Sequence, residues 1–494
     1  MVTWKPISEL FSGSQDYWLA RLIFQRALAA IYLVAFLVAL NQFRPLLGER
    51  GLLPVPDFVR QVSFRQAPSL FFLIPKDVAF SAAAWVGIIL SGVAVAGIFE
   101  RRGWVCALMW TVIWALYLSF VNVGQIFYAF GWESILLEAG FFAIFLGGSP
   151  VAPPALAIWM LRWLEFRVIF GAGLIKLRGD PCWRDFTCLD YHYETQPMPN
   201  PLSWHLHWAP IWTHRFGVGF NHFAELLVPF GYFLPQPVAS IAGVITIVFQ
   251  ASIMASGNLS WLNLLTIALA IPLFDNRALS FILPMRVPQM QETGLSLRYV
   301  TVCVAIFVAV LSIRPIRNMI SSRQLMNSSY NPLHLVGTYG AFGSITRNRL
   351  EVIVEGTDDP ILSAATKWRV YEFKGKPGNP RRAPPQIAPY HLRLDWLMWF
   401  AAMSDYSEHP WFVHFLGKLL QADQDTLGLL RGDPFGGRPP RWVRAQLYEY
   451  QFASPEELRK TGNWWTRRLS APYFPPVSLH DGTFRELPEG KGWL

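Results

Sequence analysis

The chain has 494 residues, of which 53% are hydrophobic and only 15% charged, with a formal net charge of +9. A soluble domain carries about a quarter charged residues, so this composition excludes an ordinary water-soluble protein and points to a polytopic membrane protein. The positive charge fits Lys- and Arg-rich loops beside a bilayer; no basic and aromatic module for nucleic acid accompanies it.

Nine apolar segments follow in chain order, at roughly 18–40, 78–98, 104–121, 131–147, 154–176, 217–234, 237–256, 259–274 and 297–313. The expected fold is a polytopic α-helical membrane protein of about nine spanning helices. The first run is longer than a signal h-region and lacks a small-residue cleavage site, so it reads as a spanning helix. Arg101 and Arg102, then Arg277, Arg286 and Arg298, mark loops on the cytoplasmic side. That places the N-terminus inside, and the connector 177–216 and everything after about 314 outside. The arginines of the 41–77 loop argue the opposite way. Cys106 and Cys303 fall within apolar runs and read as small inert hydrophobes.

The fourth and fifth segments carry charge where a bilayer makes it costly. Counted from the short turn between them at about 1.5 Å per residue, Glu138 lies level with Arg162, and Glu133 with Arg167. These are expected ion pairs, serving as a lock between two helices or as the wall of a polar cavity. Lys176 lies near the outer end of the fifth segment. It either snorkels to the surface or faces the bundle, where His222 and Glu225 of the sixth segment reach a similar depth and would form with it a catalytic or small-molecule site.

The connector brackets CWRDFTC between Cys182 and Cys188. A structural disulfide, a redox pair and free thiols are all compatible with that spacing. His192, His205, His207 and His214 follow without a completed metal-ligand set, and the stretch reads as an interfacial cap rich in Tyr and Trp. No phosphate-binding loop, dinucleotide fingerprint or nucleophile elbow occurs, and no cofactor is expected.

From 330 to 494 the composition is that of an extramembrane α+β domain, set apart from a membrane domain over 1–316. Leu350–Glu355, Trp368–Phe373 and Arg441–Tyr450 alternate as strands, and His409–Leu420 has helical spacing. Ser454, Pro455 and Glu457 form a capping box that starts a helix at 455, and the proline-rich 377–389 is a loop or strap. Trp411, Phe412, Trp464 and Trp465 are either core or a client-binding surface.

With these residues in view, the chain resembles the lipase maturation factor family. The resemblance runs through YWLARLIFQRALAAIYL, GWESILLEAGFFAIFLGG, RWLEFRVIFGAGLIKLRGDPCWRDFTCLDYHYETQPMPNPLSW, LVGTYGAFGSITRNRLEVIVEGTDD, WRVYEFKGKPGNPRRAPPQIAPYHLRLDWLMWFAA and GNWWTRRL. It implies a multipass endoplasmic reticulum protein in eukaryotes, with its C-terminal part luminal, that assists folding and assembly of secreted lipases. A shorter likeness to the vitamin K-dependent carboxylase superfamily covers Ala172-Gly173-Leu174-Ile175-Lys176-Leu177 and implies Lys176 as a base. The expected function is therefore a membrane-embedded maturation factor for exported clients. A carboxylase-like membrane enzyme and a transporter or lipid-binding protein are the alternatives. The lack of a retention signal, and of glycosylation sequons clear of the membrane (Asn258 and Asn327 lie close to apolar segments), points to a bacterial inner membrane.

Overall fold

A computed structural model describes residues 13–480 and Phe484. Within them the apolar runs form α1 (Trp18–Leu47), α2 (Asp77–Ala96), α3 (Gly103–Val123), α4 (Gly131–Ala143) and α5 (Ala155–Arg178). The connector folds into short helices α6 (Leu189–Thr195) and α7 (Pro201–His207). Next comes α8 (Ile211–His222), which tightens through a π turn at Phe223–Leu227 and a 3-10 run at Val228–Phe233. The helices α9 (Val238–Ser256), α10 (Leu262–Ala270), α11 (Leu295–Leu311) and α12 (Ile313–Ile320) complete the helical part.

Among the described residues, five helical stretches are long and apolar enough to cross a membrane: Gln15–Leu47, Asp77–Ala96, Gly103–Val123, Val238–Ser256 and Leu295–Ile320. The remaining expected spans fall short for two physical reasons. The run α4, the π-interrupted α8 and α10 are short, and α5, at 24 residues, carries Arg162, Glu165, Arg167 and Lys176.

The C-terminal part is a small sheet with helices. Strands β1 (Arg349–Thr357), β2 (Arg369–Val370), β3 (Trp442–Phe452) and β4 (Trp465–Val477) pair antiparallel in the order β2-β1-β3-β4. Helices α13 (Arg393–Ala401) and α14 (Pro410–Leu420) pack beneath it, and α15 (Pro455–Thr461) begins at the Ser454–Glu457 capping box. The 377–389 tract is a strap: Asn258, one residue beyond the Gly257 that ends α9, accepts from Ile387 N–H and Ala388 N–H and donates to Pro385 O, each at 2.8 Å.

One hydrophobic core joins the two parts, running from Phe24 on α1 through Trp396 and Trp411 to Val477. Polar bonds tie the same junction: Gln42 donates to His391 O at 2.7 Å and accepts from Arg393 N–H at 3.0 Å. Trp411, Phe412 and Trp465 are all buried in the core, and Trp464 packs edge-on against Trp204. These aromatic side chains stabilise the fold instead of presenting a client surface.

Candidate functional site

The charges of α4 and α5 meet partners that depth counting misassigns. Arg167 forms a two-pronged bond with Glu138, donates to Gly337 O at 2.8 Å and is nearly sealed from solvent. Tyr339 donates to the same carboxylate at 2.7 Å. Glu133 is ion-paired with Arg393 at 2.8 Å and accepts from Tyr117, with the His391 ring 3.7 Å away. Arg162 binds no carboxylate among the described residues. Its guanidinium donates to Pro272 O at 3.0 Å, Tyr232 O at 3.1 Å and the Tyr17 hydroxyl at 2.9 Å, thereby closing the ends of two 3-10 turns.

The expected pairs Glu138–Arg162 and Glu133–Arg167 are thus corrected to Glu138–Arg167 and Glu133–Arg393. The connection between α4 and α5 is not a tight turn. Residues 144–154 connect them, held by Arg21, which donates to Val151 O at 2.6 Å and Ser149 O at 3.1 Å. Arg167, more than a turn further along α5 than Arg162, is the residue that meets Glu138. The strand-like stretch around Gly337–Tyr339, which carries no charge to advertise it, then fills the space beside Arg167. Gly171 permits that approach, because a Cβ there would lie 2.6 Å from Tyr339 O.

Lys176 faces inward. Its ammonium donates to Glu225 Oε1 at 2.7 Å and Asn221 Oδ1 at 2.8 Å, and lies 5.0 Å from the centre of the Trp183 ring. Asn221 in turn donates to Glu225 Oε2 at 3.0 Å. The π turn carries Glu225, and such turns widen a helix locally and recur at functional sites. Gly173, one turn before Lys176, lets the turn come close: a Cβ there would sit 2.8 Å from Glu225 Cβ. The three N–H directions of the ammonium are taken up by a carboxylate, an amide and an aromatic face. The sequence places His222 beside this pair, but its Nε2 meets Trp183 O at 2.9 Å, so it braces the tryptophan.

The Lys176–Glu225 pair forms part of the wall of a cavity of about 580 Å³ under the connector, within the usual range for small-molecule sites. Apolar side chains of α4, α5, α8, α9 and α10 line it, and Trp396, Trp399 and Phe400 of α13 close one side. His192 on α6 also faces it, and sequence reasoning had singled it out only as a metal candidate. Burial, helped by the charge on Lys176, pushes the His192 imidazole down to about 4, so it is neutral near pH 7.

Above the cavity the connector is held rigidly. Cys182 and Cys188 are joined in a disulfide. Asp180 accepts from Cys182 N–H at 3.0 Å and pairs with Arg347 at 2.8 Å; although burial opposes it, these bonds hold the carboxyl below its usual range. His214 bridges Asp190 and Leu206 O, each at 2.9 Å. Among the described residues no three His, Cys, Asp or Glu side chains gather as a metal-binding group.

Comparison with known proteins matches residues 19–281 to the lipase maturation factor transmembrane domain and residues 335–475 to the lipase maturation factor C-terminal domain. Mouse lipase maturation factor 1 is 46% identical over 508 residues, covering 94% of this chain and 88% of its own. Human lipase maturation factor 1 is 44% identical, covering 97% and 90%. Human lipase maturation factor 2 is 28% identical over 95% of this chain and 84% of its own. No solved structure matches. On this evidence the chain belongs to the lipase maturation factor family.

Proposed function

We propose that this protein is a membrane-embedded maturation factor for exported or secreted proteins, lipases among them. Its part from 330 onward stands on the exterior or luminal side and meets clients there. Similarity at 44–46% to proteins named lipase maturation factor 1, across about nine-tenths of both chains, carries this reading. On the same reading the short and charged helices α4, α5, α8 and α10 complete the membrane-embedded bundle. The loop arginines then put the connector and the sheet on the exterior face.

Client contact is best supported at β4. It is the long edge of the sheet, its residues 467–470 are exposed, and Leu469 is more than half exposed. An open edge offers unpaired backbone groups to an incoming strand, while Pro472, Pro475 and Pro476 limit how far such pairing extends. Catalysis by Lys176 as a base is the weaker reading, because its ammonium is fully engaged by Glu225, Asn221 and the Trp183 face.

Expression in cells that lack their own lipase maturation factor 1 tests the proposal, with active lipase in the medium as the readout. Restored lipase activity is expected, and unchanged activity despite correct membrane insertion would refute it. Leu469→Glu is expected to lower active lipase severalfold at unchanged protein level; a silent substitution would remove β4 as the contact.

A further inference from the structure

The cavity has features that helix packing does not require. One opening of it lies sideways between α8 and α9 at the connector end of the bundle. Phe216 lines the cavity and is nevertheless 69% exposed, and Ser252 across from it on α9 also lines the cavity and is exposed. Phe220 and Phe249 bridge the gap, with ring centroids 5.8 Å apart. Ile211, Trp212, Phe216, Phe223 and Leu227 continue the apolar face outward along α8 and its π turn. Ser252 lies one turn from the end of α9, about 6 Å at 1.5 Å per residue. The mouth therefore opens at the level of the bilayer leaflet beneath the connector.

The interior is set for one kind of occupant. Among the described residues the only charged side chains in the lining, Lys176 and Glu225, cancel each other, and His192 is neutral. An anionic or cationic headgroup would find no free counter-charge in a low-dielectric space, so it is disfavoured. Deeper in the wall Asn263 donates to Gln250 Oε1 at 2.8 Å. This leaves the Gln250 amide nitrogen and the Asn263 carbonyl oxygen without a protein partner among the described residues, although the two residues are only 6% and 3% exposed. Neither atom is sealed in protein: both side chains line the cavity, where an occupant can supply the missing partner. An adjacent free donor and free acceptor match a hydroxyl, which accepts from one and donates to the other.

We propose that this cavity binds an uncharged lipid bearing a free hydroxyl, admitted from the bilayer between α8 and α9, with its hydroxyl on Gln250 and Asn263 and its hydrocarbon along the aromatic wall. A diacylglycerol and a sterol share this chemistry. The inference rests on the cavity and on the proposed embedding of α8 beside α9 in the bilayer, and it stands whether or not the protein serves lipases.

The test uses the full chain in phosphatidylcholine nanodiscs with photoreactive diacylglycerol, photoreactive sterol and, as the charged counterpart, photoreactive phosphatidic acid. Labelling is expected on the peptides containing Phe216–Phe220 and Phe249–Ile253, with the stronger of the two neutral probes identifying the source. Converting that probe's hydroxyl to a methyl ether should reduce labelling severalfold. Ser252→Trp, at an exposed position, should close the mouth and reduce labelling as much. Val248→Trp, exposed on the same helix but away from the cavity wall, should not. Labelling confined to outer helix faces, equal labelling by phosphatidic acid, or indifference to both the ether and Ser252→Trp would each overturn the proposal.

Discussion

Two buried ion pairs, Glu138–Arg167 and Lys176–Glu225, sit on the same helix α5 less than three turns apart, yet their surroundings differ. Arg167 is sealed in protein: Glu138, Gly337 O and the Tyr339 ring surround it. Around Lys176 the pair is also in direct contact and buried, but it forms part of the wall of an open cavity. Contact and burial alone would not tell the two apart. What separates them is whether water or a ligand can replace a lost partner, so one pair is a lock and the other part of a binding wall.

The strongest way to break that distinction is Glu138→Gln. It strands the Arg167 guanidinium in a sealed site, and removing one partner of a buried pair costs about 3–5 kcal/mol. The exposed pair Glu456–Lys460 is the reference, where Glu456→Gln should cost about 0–1 kcal/mol. Denaturant unfolding of the solubilised protein measures both. Equal losses would mean that Glu138 and Arg167 are not a lock.

A second lock, Glu133–Arg393, fastens the C-terminal part to α4, and it makes the next largest prediction through pH. His391 lies beside it, packed edge-on against Phe130, Trp132, Trp261 and Trp396, and neither ring nitrogen is hydrogen-bonded among the described residues. Burial, then the Arg393 charge, pushes its imidazole down to about 4. An unfolded histidine titrates near 6.5, so between those values the unfolded chain binds the extra proton. The stabilising effect of the neutral ring is complete above about pH 6.5 and is lost as the pH falls towards 4, on the order of 3 kcal/mol. His391→Phe keeps the packing and removes the proton site. It should match the parent at pH 7 and lose less stability on acidification. Glu194, raised to about 6 mainly by burial, works in the opposite direction, but it is common to both proteins and drops out of the difference. Identical acid profiles for the two would remove His391 from the account.

Much of the architecture was legible because it is local. The α15 start follows from Ser454, Pro455 and Glu457, and β1 and β3 follow from alternation. Strand β4 was missed because three prolines argue against a strand, and only its place at the sheet edge makes them tolerable. For the site, sequence reasoning brought Lys176 and Glu225 to one depth, and the structure joins them. It could not find Arg393 as the partner of Glu133, or Tyr339 beside Glu138, because contacts over 200 residues of chain leave no periodic trace. Nor could it separate His192, which faces the cavity, from His222, which braces Trp183. Both are histidines near the connector, and only the turn of their helices decides which way each ring points.

The smallest expected effect is the most discriminating. Lys176→Met removes the cation from Glu225, just as Glu138→Gln removes the anion from Arg167. If the cavity wall behaves as a wall, water from the 580 Å³ space can reach the stranded carboxylate, and Asn221 still donates to it. The cost should then fall to about 1–2 kcal/mol, below the penalty for a sealed charge. Adding Glu225→Gln should recover most of it, since no charge then remains to be solvated. Unfolding measurements on the single and double variants read this directly. A loss for Lys176→Met as large as that for Glu138→Gln would show that Lys176–Glu225 is a further lock, and the contrast between the two sites on α5 would collapse.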